Sequence, residues 1–245
     1  MTSARFQGEH RKWWTLAAVA LGLFMIMLDN TVVNVALPSM QKSLDLEISQ
    51  LEWIVTGYAL TFGALMLTGG KIADLFGRRR TFVTGLGVFT LSSLACGLAD
   101  SAATLIGARV VQGVGSALMN PATLSIIAVA FPPWERGRAI GIWVGVSALA
   151  LAIGPLVGGM LAEYASWQWI FFINVPIGVM AIVAAFLFID ESRDTSHEQR
   201  ADMPGLVTSG LGLFALTYGL IEANHFGWGS SRIVGAFAVA FVSLA

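Results

Sequence analysis

This sequence predicts an all-α polytopic membrane protein, and three observations carry that reading. Of its 245 residues, 56% are hydrophobic and 12% charged, where a soluble domain has about a quarter charged, and the mean hydropathy is +0.74. Apolar runs of the length that spans a bilayer, about 20 helical residues, recur with short polar breaks between them. Lys and Arg collect in alternate breaks, as they do when short basic loops stay in the cytoplasm. The net charge of -1 offers no basic excess for nucleic acid. The single cysteine, Cys96, has no partner for an intramolecular disulfide.

The first span covers about residues 13 to 37. Arg11 and Lys12 precede it as they would a signal peptide, but its length, its internal acid and the lack of a small-residue cleavage site make it a retained helix. Further spans fall at about 51 to 70, 81 to 99, 102 to 130, 138 to 162, 168 to 189 and 205 to 223. An eighth begins near Arg232 and stops at Ala245.

Orientation follows from the loops. Arg5, Arg11 and Lys12 precede span one, Lys71 and Arg78 to Arg80 follow span two, Arg136 and Arg138 follow span four, and Arg193 and Arg200 follow span six. The other side has only Lys42 and Arg232. The N-terminus and the loop at 190 to 202 are therefore expected inside.

Only Asp29 and Arg109 remain as charges well inside spans. At 1.5 Å per residue, Asp29 lies about 13 Å, and Arg109 about 10 Å, from the outer face, so the depths permit a pair. Arg109, Gln112, Ser116, Asn120 and Thr123 all fall within about 60° of one helix circumference. Such a stripe does not suit lipid, because each unsatisfied polar group in hydrocarbon costs several kcal/mol. It faces a water-filled cavity or ties helix to helix.

Six segments together resemble the N-terminal part of a major facilitator superfamily transporter of the drug:proton antiporter group with fourteen transmembrane helices. They are LDNTVVNVALP (Leu28 to Pro38), GKIADLFGRRR (Gly70 to Arg80), RVVQGVGSA (Arg109 to Ala117), AIGPLVGG (Ala152 to Gly159), WQWIFFINVPIG (Trp167 to Gly178), and DMPG followed by YGL between Asp202 and Leu220. The resemblance implies a six-helix N-terminal bundle at 1–190, then a cytoplasmic loop, linker helix seven and a truncated helix eight at 191–245. It also implies that the C-terminal half is missing, since family members are about twice as long and alternating access needs both halves.

The function so implied is a proton-coupled multidrug efflux antiporter in the cell membrane, exporting amphipathic or cationic small molecules. It would use the proton gradient and no cofactor. Asp29 would be the proton site, with burial and Arg109 acting on its proton affinity in opposite directions. Asn30, Asn34, Gln112, Ser116 and Asn120 would line the cavity. A permanent Asp29–Arg109 bridge, or an acid satisfied by Asn30, Asn34 and backbone, is the structural alternative. Gly70, Asp74, Gly77, Arg78 and Arg79 would form a cytoplasmic latch, with Asp74 interacting with a neighbouring helix N-terminus and with the arginines.

In span five, Ala150, Gly154, Gly158 and Ala162 repeat every fourth residue, so a neighbouring helix can come close. Pro155 adds a bend. The resemblance makes Gly154, Pro155, Gly158 and Gly159 the antiporter motif that seals the path against leak. Two residues depart from the family: Ala150 stands for a Gly, and Gln168 for an Arg, which leaves Glu163 without the cation expected there. Glu222, His10, His197 and His225 read as surface residues. Phe24, Met25, Met27, Trp53, Tyr58 and Phe62 line a promiscuous pocket or simply pack. No His lies in a span and no acids or cysteines have ligand spacing, which argues against an enzyme or a metal site. A metabolite, lipid or siderophore exporter of the same group, or a non-transporting fragment, are the other readings.

Overall fold

The computed structural model describes residues 2–193 and 203–244; His197, Arg200 and Asp202 lie outside them. Among the described residues the chain is helical throughout: α1 Thr2–Leu44, α2 Ile48–Phe76, α3 Arg78–Gly97, α4 Ala102–Ala130, α5 Pro133–Tyr164, α6 Trp169–Phe172, α7 Asn174–Phe188, α8 Met203–Phe226 and α9 Ser231–Leu244. Five stretches are long and apolar enough to cross a membrane: His10–Leu44, Ile48–Phe76, Ala102–Ala130, Pro133–Tyr164 and Trp169–Phe188. α3 is not among them, because it opens on Arg78, Arg79 and Arg80 and carries several hydroxyls. Those hydroxyls turn inward: Thr81 donates to Gly77 O, Ser92 to Val88 O, and Ser93 to Phe171 O.

The helix ends follow local chemistry. Pro38 does not end α1 where the sequence suggested; the helix continues to Leu44 with the proline inside it. A proline removes one ladder bond, and the helix survives where the freed carbonyl meets solvent or a bend; Pro38 is exposed. The stop comes at Asp45, whose φ is 50°, a left-handed value that Asp tolerates better than most residues. α2 then opens with the Glu47 amide donating to Gln50 Oε1, and α4 with the Thr104 amide donating to Ser101 Oγ. Span six is two pieces, α6 and α7, interrupted at Ile173. Pro176 has no N–H to give the carbonyl of Phe172 four residues earlier, so the ladder is broken at that point.

α1 packs on α5 and α7, α2 on α4 and α8, α3 on α4 and α7, and α9 on α8. α3 follows α6 and α7 along its length: Arg79 bonds Ile189 O just beyond α7, and Gly97 abuts Phe172 of α6 at the other end. Apolar side chains form two buried clusters. One, toward the Arg-rich loops, includes Val19, Met25, Phe82, Phe89 and Phe131. The other includes Val32, Met40, Leu105, Trp167 and Phe171. Met25 and Tyr58 belong to the first cluster, with Met27 and Phe62 packed against it, so these side chains are core. α5 leaves Ile140, Val144, Leu151, Leu156 and Met160 exposed on more than one side of the helix, apolar surface suited to lipid or further helices.

Candidate functional site, a buried ion pair between two apolar clusters

Asp29 follows Met25 of one cluster and precedes Val32 of the other, so its carboxylate sits at their junction. Arg109 reaches it from α4: Nη1 lies 2.6 Å from Asp29 Oδ2. Side-chain exposure is 0% for the acid and 1% for the base. The pair is therefore closed off from solvent in this conformation.

The remaining polar atoms are nearly all matched. Arg109 Nη1 also donates to Gln112 Oε1 at 2.7 Å, and Nε donates to Ile54 O at 3.1 Å. Gln112 Nε2 donates to Asp29 Oδ1 at 3.0 Å. Asn174 Nδ2 reaches the same oxygen at 3.2 Å from α7, and Ser93 Oγ at 3.1 Å. The Arg109 guanidinium lies 4.1 Å from the Tyr58 ring centroid, a cation–π contact that strengthens on desolvation. The Tyr58 hydroxyl shares a 2.8 Å hydrogen bond with Ser116 Oγ. Within this cluster, Asn174 Oδ1 is buried without a partner.

The α4 stripe is thus a helix-to-helix seam rather than a cavity wall. Gln112, Ser116 and Thr123 are buried, and Asn120 is half-buried. Thr123 donates to the Asn120 carbonyl. Asn30 is half-buried and Asn34 exposed, with the Asn34 amide bonded to Asn30 O. The amide that bonds Asp29 comes instead from Asn174.

At the end bearing the Arg-rich loops, Gly77 joins α2 to α3 with φ +116°, a value L residues rarely adopt. Of the partners expected for Asp74, the structure shows an arginine: Arg78 Nη2 lies 3.1 Å from its Oδ1, one turn away. The carboxylate at the N-terminus of α3 is Glu191, just beyond α7. Its Oε1 accepts from the Arg79 amide at 3.1 Å and its Oε2 from the Arg80 amide at 3.1 Å. A Cβ at Gly77 would come within 2.5 Å of Glu191. Nearby, Lys12 pairs with Glu135 at 2.5 Å and Arg11 with Asp190 at 2.5 Å. Gly70 faces Pro121 of α4.

The small-residue face of α5 meets α1. A methyl at Gly154 would overlap the Thr31 hydroxyl, and one at Gly158 would lie 3.0 Å from the Val32 Cα. Gly159 is looser, 3.9 Å from Val35, and Pro155 is exposed within the helix. Glu163 is exposed and has no ion-pair partner among the described residues, while Gln168 Oε1 is buried without one. His10 and His225 are exposed. Glu222 is not the surface residue it resembled; it is only 9% exposed, because that turn of α8 packs against α2.

A bundle of apolar helices, five of them long enough to cross a membrane, with an ion pair sealed between them, is the architecture of an all-α polytopic membrane protein. The chain belongs to the Major Facilitator Superfamily, whose sequence model matches residues 19–245. It is 40% identical over 235 residues to the tetracenomycin C resistance and export protein of Streptomyces glaucescens, covering 96% of this chain and 44% of that one. It is 41% identical to a puromycin resistance protein of Streptomyces alboniger, covering 95% and 46%. A multidrug resistance protein of Mycobacterium tuberculosis is 38% identical, covering 90% and 41%. The chain thus spans less than half the length of these curated relatives. Among solved structures, a peptide transporter crystallised with sulfate aligns with TM-score 0.68 at 16% identity, over 94% of this chain and 48% of that one, which shows the fold alone.

Proposed function

We propose that this chain forms the N-terminal half, residues 1–190, and the following segment, 191–245, of a proton-coupled exporter of antibiotics or other amphipathic or cationic small molecules. It would sit in the cytoplasmic membrane with its N-terminus inside and draw on the proton gradient rather than a cofactor. That the relatives are antibiotic and multidrug resistance proteins supports the substrate class. Transport requires a C-terminal half as the moving partner.

One observation carries the proton step: Asp29 is an ionisable group buried among spans with a single cation against it. Protonation removes the charge that holds Arg109 and turns an acceptor into a donor. The orphaned Asn174 Oδ1 supplies an acceptor within the same cluster, should the amide turn over. The pair would then loosen, and α1, α4 and α7 with it. Because Asp29 is sealed here, the proton enters in another conformation of the transport cycle, not through a standing crevice. Gly154 and Gly158 would keep α1 and α5 in contact against leak, and the Gly77 loop would close the inner side.

Complete burial and near-complete hydrogen bonding also favour a second reading, a permanent structural bridge. Asp29→Asn separates the two. In a full-length version, loss of proton-coupled efflux with normal insertion supports the proton site. Loss of folded protein, or unchanged coupling, supports the bridge.

A further inference from the structure

Where α3 meets α7, two buried oxygens have no hydrogen-bond partner among the described residues, Asn174 Oδ1 and Thr90 Oγ1. They belong to one arrangement. Thr90 stands one turn before Ser93 on α3, and Gly178 one turn beyond Asn174 on α7. Ser93 Oγ accepts from Asn174 Nδ2, and a methyl at Gly178 would overlap the Thr90 hydroxyl. The same two helix faces therefore meet at successive turns, and each turn holds one unmet oxygen.

The donor count explains why Asn174 Oδ1 is left over. The Ser93 hydroxyl donates to Phe171 O at 3.0 Å, so toward the amide it only accepts. An ionised Asp29 also only accepts. Both neighbours demand Nδ2, at 3.2 Å and 3.1 Å, and the carbonyl end of the amide is turned from both. Protonation reverses that demand. Asp29 Oδ2 lies against Arg109, so the proton is carried on Oδ1, the oxygen that faces Asn174. With a donor in that place the amide turns over. Its Oδ1 accepts from the Asp29 hydroxyl and, through its second lone pair, from Ser93. Its Nδ2 then requires an acceptor, and the unfilled oxygen on the facing helix is Thr90 Oγ1. Ser93 in turn leaves Phe171 O, which frees α6 next to its break at Ile173.

We propose that Asn174 and Thr90 are positioning residues that read the charge of Asp29, the amide being set one way for the carboxylate and the other way for the acid. This rests on the proton-site reading of Asp29 and adds the groups that receive its signal. Of the helices around Asp29, α4 brings Arg109, α2 Tyr58, and α3 Cys96, whose thiol reaches Gln112 Oε1 at 3.8 Å. Glu52 of α2 is exposed. α6 and α7 carry no titratable residue, and α5 and the rest of α1 carry theirs near the helix ends.

The test is thermal unfolding of the purified chain in dodecyl maltoside, with residue 29 either Asp or, in Asp29→Asn, an uncharged side chain that offers a donor. Thr90→Val removes the hydroxyl and keeps the shape. Beside Asp29 it should leave the midpoint unchanged or raise it, since the hydroxyl is unmet in that state. Beside Asp29→Asn it should lower the midpoint by about 2–4 °C, the scale of one lost buried hydrogen bond in a chain of this length. Thr90→Ser, which keeps the hydroxyl, should act alike in both backgrounds. A Thr90→Val effect that is the same in both overturns the proposal. If Asp29→Asn does not fold, Thr90→Val is compared at about pH 8 and about pH 4, on either side of carboxylate titration. A loss confined to the lower pH supports the switch, and equal effects overturn it. Proton-coupled efflux of a full-length Asp29→Asn version separates the two readings. Coupling lost, with the same Thr90→Val effect in both backgrounds, overturns the switch and leaves the proton site standing; coupling retained overturns both.

Discussion

Arg109 and Asp29, 80 positions apart in the chain, meet at 2.6 Å with neither side chain reached by solvent. A pair so placed is a poor source of net stability, since desolvating both charges offsets most of their attraction, but removing one partner strands the other. The relationship is therefore fragile in one direction and fixes the first predictions.

Arg109→Ala should destabilise the chain by about 3–5 kcal/mol, read as a large drop in the midpoint of thermal unfolding in detergent. The double variant Arg109→Met with Asp29→Leu should recover much of that loss, because no charge is then left stranded. Additive losses in the double variant would show that the two side chains are not coupled in the folded state.

Asn174→Leu should cost about 1–3 kcal/mol, because Asp29 Oδ1 and Ser93 Oγ each lose a donor in a dry site. Asn34→Leu, on an exposed residue of the same first-helix segment, should stay within about 0.5 kcal/mol. Thermal unfolding of the two variants side by side checks this. Equal effects would mean that the amide from α7 does not support the acid.

The two asparagines show where sequence reasoning reached and where it stopped. Apolar length and the alternation of basic loops located the helices, and α4 lies where it was expected, from Ala102 to Ala130. Those signals are set by the bilayer, a solvent whose thickness is known in advance. The depth of two charges permitted their contact because an ion within a span has few places to go. Asn174 carries no charge and sits in an apolar run 145 positions from Asp29, so only the three-dimensional packing reveals it. The one available hint was a lone amide two residues before a proline. Glu191 and Glu222 were hidden for a different reason: each lies near a helix end, where solvation is the ordinary expectation, and packing against another helix decides otherwise.

Glu191→Gln should loosen the first turn of α3, since a carboxylate on free amides at a helix N-terminus is worth about 0.5–2 kcal/mol. Faster hydrogen exchange at Arg79 and Arg80, with little change near Gly97, is the expected pattern. Protection that is uniform and unchanged along α3 would show that Glu191 does not hold the first turn of that helix.

Gly154→Val should separate α1 from α5 by forcing the Thr31 side chain aside, costing about 1–3 kcal/mol as overpacking does. Gly159→Ala, where the nearest atom is at 3.9 Å, should be close to neutral. Comparing the yield of folded protein and its unfolding midpoint for the two variants distinguishes a tight helix contact from a loose one.

In the proposed mechanism Asp29 gives up and regains a proton as the transporter cycles. Proton release or uptake accompanying substrate efflux, measured in proteoliposomes with a full-length version bearing Asp29→Asn, tests it most directly. The account predicts folded, inserted protein in which efflux no longer responds to an imposed pH gradient. Coupling equal to that of the unmodified protein would contradict it.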